Sequence, residues 1–166
     1  MNKKKEEQEK YSLDDFREII KALRSEHGCP WDKAQTHGSL MGCMLEEAAE
    51  AVSGIKVYEK TGDKESMQEE LGDVLMQVVL HAQIAEEEGI FTLEDVIEGI
   101  SKKMIRRHPH VFEPDGTPLN GRKPNPDAIK SWKEIKALEK KSRNYEEPSA
   151  KKRLRKIFAK FYKFIL

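Results

Sequence analysis

An all-α helical bundle of about four to five helices is the fold this sequence predicts, and three observations predict it. Apolar residues recur at helical spacing along most of the chain, while the alternation expected of strands is almost absent. Capping residues precede those stretches, and glycine or proline follows them. The 166 residues suit a single domain with one core that needs no disulfide or structural metal.

The elements follow in order. After a charged arm, Ser12 and Asp15 resemble a capping box, and Leu13, Phe16, Ile19, Ile20 and Leu23 then form a helical stripe. Gly28 and Pro30 stop that helix, and Gly28 to Gly38, carrying Trp31, Asp32, Gln35 and His37, is expected to be an irregular loop. A second helix is predicted from about Ser39 to Tyr58 and a third from about Glu65 to Glu88, separated by the Thr61-Gly62-Asp63 turn. Thr92 and Asp95 cap a fourth helix bearing Val96, Ile97, Ile100, Met104 and Ile105, which stops before His108-Pro109. Residues 113–126 hold four prolines and two glycines and read as a loop, ordered or flexible. Asn125-Pro126 then starts a fifth helix with Ile129, Trp132, Ile135 and Leu138 on its apolar face. The predicted boundaries are an arm at 1–11, a helical domain at 12–141, and a linker with a basic amphipathic tail at 142–166.

Charge narrows the function classes. The 30 Lys/Arg balance 30 Asp/Glu, but seven of the basic residues fall in the last sixteen positions, where there is no acid. The first 150 residues thus keep 23 basic against 30 acidic side chains, a poor surface for stable nucleic-acid binding. No apolar run is long enough to span a membrane, and no apolar stretch backs the N-terminal lysines as in a signal peptide. Cys29 and Cys43 fit neither a disulfide framework nor a zinc site and are expected to be inert. A cytoplasmic location is the expectation.

Two groups of carboxylates stand out. On the helix over 39–58, Leu40, Met44, Ala48, Ala51, Val52 and Ile55 form the apolar face. Glu47 and Glu50 lie about 60° apart on its border. Glu46 points nearly away, while the small Cys43 and Gly54 share the stripe of Glu47 and Glu50 and leave room for a ligand. The next helix is apolar nearly all round from Leu71 to Ala85, as in a bundle interior or subunit interface. Yet Glu70 and Asp73 open one of its faces, and Gln77 continues it. Anions there need compensation. Two i,i+3 pairs converging across adjacent helices would suit a hard cation, Mg²⁺ or Mn²⁺. Solvated faces or salt bridges to Lys or Arg would satisfy the same acids, and spacing does not choose among these.

Glu46-Glu47-x-x-Glu50 followed by Glu70-x-x-Asp73 resembles the signature of the MazG-type nucleoside triphosphate pyrophosphohydrolases. Gly28-Cys29-Pro30-Trp31-Asp32-Lys33-Ala34-Gln35-Thr36-His37, Glu70-Leu71-Gly72-Asp73 and Arg106-Arg107-His108-Pro109-His110-Val111-Phe112 are similar to further blocks of that family, as is Trp132 to Lys136. The resemblance spans roughly residues 12–141. It implies an all-α enzyme that cleaves NTP or dNTP between the α and β phosphates, releasing monophosphate and pyrophosphate.

By that resemblance Glu47, Glu50, Glu70 and Asp73 match metal ligands for Mg²⁺, with Mn²⁺ as a substitute. Lys103 and Arg107 match residues that meet the triphosphate, and Trp132 and Lys136 match substrate contacts. A homodimer or dimer of dimers is implied. Read from the residues alone, Lys103 and Arg107 equally fit a solvated basic face. Glu46 is a candidate for orienting water. Trp31 stacks on a base or plugs the end of the bundle, and Gln35 or His37 touches a base edge or sugar. His108 and His110 read as a structural stop. Larger family members carry two related domains in tandem, and this chain has room for one, resembling the N-terminal domain. In the tail, Leu154, Ile157, Phe158, Phe161 and Ile165 share one helical face. It suits packing on the acidic body or a partner subunit, the preferred reading, over a membrane surface or an RNA contact.

The leading function is house-cleaning hydrolysis of nucleoside triphosphates with broad base tolerance. The alternatives are a dedicated dNTP pyrophosphatase of the dUTP or dCTP type, a non-catalytic nucleotide-binding or regulatory protein, and a metal-free helical interaction module.

Overall fold

The computed structural model describes residues 10–121 and 128–142, with positions 149, 153 and 156. Most of the charged arm, the Asn125-Pro126 helix start and nearly all of the linker and tail lie outside the described residues. The elements are α1 (Leu13–Arg24), α2 (Pro30–Ala34), α3 (Met41–Thr61), α4 (Lys64–Glu87), α5 (Leu93–Arg107) and α6 (Ala128–Ser142). The all-α class is as the sequence predicts. Among the described residues six helices are delineated where four to five were expected, because Pro30 at the first helical position turns the start of the Gly28–Gly38 loop into the five-residue α2.

Two compact units divide the chain, residues 1–99 and 100–166. In the first, Ser12 and Asp15 complete the capping box on α1: the Asp15 amide donates to Ser12 Oγ at 3.1 Å and the Ser12 amide to Asp15 Oδ2 at 2.8 Å. Thr92 and Asp95 make the same reciprocal pair at the start of α5. Between α3 and α4 the turn is tight. Gly62 adopts a left-handed φ of 78°, and Asp63 caps α4 by accepting from the amides of Glu65 and Ser66. A turn so short folds α4 back along α3 as a helical hairpin.

The core of this unit gathers Ile20, Leu40, Val79, Leu80, Ala82, Ile84 and Leu93, with Phe16, Cys43 and Met76 against it. The C-terminal half of α4 is therefore buried as its all-round apolar sequence predicts. Its N-terminal half departs from that: Leu71 and Leu75 are exposed, and so are Val52 and Ile55 of the expected apolar face of α3.

Behind α1 the chain turns against the end of the helix. The Cys29 amide donates to the Leu23 carbonyl at 2.7 Å. A Cβ on Gly28 would stand 2.2 Å from that same carbonyl oxygen and 2.3 Å from that of Ala22. Neither oxygen belongs to a side chain that could swing away. Gly28→Ala is therefore expected to cost about 1–3 kcal/mol, read as a lower urea midpoint at unchanged m.

In the second unit, α5 ends where the His108 ring Nδ1–H donates to the Met104 carbonyl at 2.6 Å. That agrees with a structural stop. The proline- and glycine-rich stretch then starts as a hairpin: Phe112 pairs with Pro118, the Leu119 amide reaches the Val111 carbonyl at 2.7 Å, and Gly116 turns the chain at φ 92°.

Candidate metal centre and phosphate-binding cluster

Crossing of α3 and α4 brings the acids of two helices together. Glu47, Glu70 and Asp73 each offer a carboxylate oxygen, and the three atoms lie within 4.8 Å of one another. A Cβ on the buried Gly54 would sit 3.2 Å from Glu70 Cγ and 3.2 Å from Met67 Cα, so the absence of a side chain at 54 is what lets α4 carry Glu70 so close to α3. Glu50 is not among the three, but it stands near enough to act on Glu70 electrostatically. Glu46 is exposed on α3, as its helical position predicts.

Partial burial pushes the Glu47 carboxyl above the ordinary carboxylate range, and the charges of Asp73 and Glu50 push the same way. Burial raises Glu70 likewise, reinforced by Glu50 and Asp73. Opposing this, the nearby Gln77 side chain favours the ionised form of Glu47. Gln77 is only 3% exposed, and its Oε1 finds no partner among the described residues. None of the ion pairs among the described residues reaches Glu47, Glu70 or Asp73. No described Lys or Arg therefore compensates these acids, though such compensation is one of the readings left open by spacing. Three converging carboxylate oxygens with no nitrogen or sulfur donor among them suit a small hard cation by their chemistry.

Beside this cluster lies an apolar recess of about 500 Å³ lined by Tyr11, Ser12, Leu13, Phe16, Gly72, Asp73, Leu75 and Met76. Asp73 contributes a carboxylate that has no ion pair among the described residues. The Ser12 hydroxyl is already spent on Asp15 at 2.7 Å.

The loop around Trp31 is held by a residue that sequence reasoning missed. Arg24 is 8% exposed. It grips Glu87 with Nε and Nη2 at 2.8–3.2 Å, and its Nη1 donates to the carbonyls of Asp32 and Gln35. The signal was available, since Arg24 continues the i,i+4 stripe of Phe16 and Ile20. Trp31 is 62% exposed, so it does not plug the bundle, and its indole face is open. Gln35 donates to the Trp31 carbonyl and accepts from Ser39, while His37 Nδ1 meets His81 Nδ1 at 2.8 Å. Both Gln35 polar atoms and His37 Nδ1 thus have partners within the fold, while His37 Nε2 stands 3.8 Å from Glu88 Oε2.

The Arg24 hydrogen bonds hold the Glu87 carboxyl below its ordinary value. A carboxylate with a depressed pKa in the fold adds stability above its unfolded pKa of about 4.3, and this is lost as pH falls through the folded value. Glu87 is partly exposed, which screens the pair, so Glu87→Gln is expected to cost about 1–2 kcal/mol at neutral pH. Thermal melts from pH 6 to pH 3 should show the wild type losing that margin and converging on the variant.

In the second unit, Arg107, Trp132 and Lys136 come together. The Arg107 guanidinium lies over the Trp132 ring at 5.5 Å from its centroid, and Lys136 Nζ stands 4.8 Å from it. Lys103 is half-buried one turn before Arg107 on α5. Glu139, another residue the sequence reading passed over, accepts from Arg107 Nε at 3.1 Å and Nη2 at 2.6 Å, and from Arg106 Nε at 2.7 Å. It shares a stripe of α6 with Trp132 and Lys136, at i, i+4 and i+7.

A family model described as the MazG nucleotide pyrophosphohydrolase domain matches residues 35–112. The chain is 52% identical over 125 residues to protein YabN of Bacillus subtilis, covering 75% of this chain and 24% of that one. It is 51% identical over 122 residues to the nucleoside triphosphate pyrophosphohydrolase/pyrophosphatase MazG of Thermotoga maritima, covering 74% and 43%. With the Escherichia coli nucleoside triphosphate pyrophosphohydrolase it shares 40% over 129 residues, covering 77% and 46%. The matched region is thus between about a quarter and a half of these relatives' length. A crystal structure of a mazG-related protein from Thermotoga maritima superposes with a TM-score of 0.57 at 27% identity, covering 75% of this chain and 99% of that one.

Proposed function

The chain belongs to the MazG-type family, and from that premise we propose that it hydrolyses nucleoside triphosphates, NTP or dNTP, to monophosphate and pyrophosphate. The observation that carries the reading is the convergence of Glu47, Glu70 and Asp73 with no described Lys or Arg paired to them. Mg²⁺, or Mn²⁺ in its place, would be held by these three with Glu50 beside them. A cation held there would supply charge neutralisation for the triphosphate and activation of a water.

The chain's own groups have separate tasks. Gln77, buried beside Glu47, would favour the ionised form of that carboxylate toward a ligand. Glu46, exposed on α3, is the candidate for orienting water. Arg107, Lys103 and Lys136 would bind the phosphates of the triphosphate, whose charge is present in ground and transition states alike, with Trp132 as the platform against which Arg107 and Lys136 rest. Trp31 offers an open face for stacking on a base.

Broad base tolerance is favoured over a dedicated dNTP enzyme by the recess at Asp73. Its lining is mostly apolar, with the Ser12 hydroxyl already engaged, which leaves Tyr11 and Asp73 as its polar side chains. A house-cleaning role on the nucleotide pool follows, with the cytoplasm as its place. Among the described residues no helix is long and apolar enough to cross a membrane. The exposed Leu45, Val52 and Ile55 of α3 with Leu71 and Leu75 of α4 support a homodimer or dimer of dimers, since apolar clusters of this kind favour burial against a partner.

The test is product analysis on a mixed NTP and dNTP panel. Monophosphate plus pyrophosphate from several bases supports the reading. Diphosphate plus phosphate would overturn the bond choice, turnover of one dNTP alone would favour the dedicated enzyme, and no turnover would favour a binding protein.

A further inference from the structure

We propose that Glu139 is a positioning residue for the phosphate-binding arginine: it clamps Arg107 by the Nε–Nη2 edge against Trp132 and so presents the Nη1 edge to the triphosphate. This rests on the hydrolase reading for the identity of the ligand, but its geometry is independent of that reading. Three contacts fix the guanidinium. Its Nε and Nη2 both donate to Glu139 Oε2, at 3.1 and 2.6 Å, and its face lies over the indole at 5.5 Å from the centroid. Nη1 has no hydrogen-bond partner among the described residues. A fork held at one edge and one face has little rotational freedom left, so the remaining edge is aimed before the ligand arrives.

The carboxylate is itself anchored. Its other oxygen, Oε1, takes Arg106 Nε at 2.7 Å and Nη2 at 2.6 Å. One anion held between two guanidinia is poorly placed to leave when phosphate arrives. The arrangement therefore reads as a clamp rather than as a plug that substrate displaces. Charge supports this, because one carboxylate against Arg106, Arg107 and the neighbouring Lys136 leaves the cluster net cationic. The same two arginines, Arg107 first, hold the Glu139 carboxyl down to about 2, so the clamp is ionised at neutral pH.

Glu139→Gln keeps the shape and removes the charge. The readouts are kcat and KM for the nucleotide turned over fastest, and the calorimetric Kd for inorganic tripolyphosphate, which needs no turnover. We expect KM and the tripolyphosphate Kd to rise together by about tenfold, with kcat changed by less than about twofold. In an Arg107→Lys background, which has no fork to align, the same substitution is expected to change either constant by less than about twofold. Tighter tripolyphosphate binding in Glu139→Gln would overturn the proposal, because the carboxylate would then be a competitor of phosphate. An equal loss in both backgrounds would overturn it in favour of a general structural role, and so would no change. If Glu139→Gln fails to fold, Arg106→Gln loosens the other carboxylate oxygen from an exposed position; it should raise the tripolyphosphate Kd about threefold, and no rise would overturn the clamp. Wild-type protein that binds tripolyphosphate but hydrolyses no nucleotide would sink the hydrolase reading alone. Wild-type protein that binds no tripolyphosphate sinks this one.

Discussion

Asp73→Asn is expected to lower Mg²⁺-supported nucleotide turnover by about 10²–10³-fold, the size seen when one preorganised charged or polar group is withdrawn from a reacting centre. Asparagine matches aspartate in volume and leaves α4 intact, so circular dichroism should be unchanged. The substitution removes one of three converging carboxylates and relieves repulsion on Glu47 and Glu70, both of which feel Asp73. Without metal the variant should therefore melt no lower than the wild type. Loss of turnover without loss of stability separates a ligand from a structural acid. A metal-free interaction module predicts no functional change at all.

Arg107→Ala is expected to lower kcat/KM by about 10²–10³-fold at saturating Mg²⁺, where loss of a metal ligand would be partly masked. Arg107 is engaged by Glu139 and Trp132 at once, so its removal withdraws a donor to phosphate and unloads half of the Glu139 carboxylate. Rates across nucleotide concentrations should show KM rising at least as much as kcat falls. A variant with wild-type kinetics would return Arg107 to the solvated basic face that its sequence alone allowed.

Much of the fold was legible because it is locally encoded. The Ser12–Asp15 and Thr92–Asp95 boxes and the Gly62-Asp63 turn are short-range devices, and each forms where its residues stand. The five-residue α2 was not legible, since a single turn carries no periodicity and only Pro30 at its first position announces it. For the candidate site, a helical wheel put Glu47 and Glu50 on one border but could not say which of them faces α4. That depends on how close the helices pass, and Gly54 sets it by allowing Glu70 to within 3.2 Å of where a Cβ would be.

Charged residues that bind across the fold were missed for a related reason. Arg24 and Glu139 each lie on a stripe with other selected residues, yet a lone charge on a helix normally reads as solvated. Only long-range partners, Glu87 for the one and Arg106 and Arg107 for the other, reveal their work. Val52, Ile55, Leu71 and Leu75 belong to apolar faces in the sequence but stand exposed, because periodicity identifies a face to be covered without saying what covers it.

Calorimetric titration of Mg²⁺ into wild-type and Asp73→Asn protein addresses the carboxylate cluster most directly. Saturable binding in the wild type is expected, weakening as pH falls, because the carboxyls of Glu47 and Glu70 sit above their ordinary range and must release protons to bind. Asp73→Asn should abolish it. Equal Mg²⁺ binding by both proteins, or none by either in the presence of nucleotide, would contradict a metal centre at Glu47, Glu70 and Asp73.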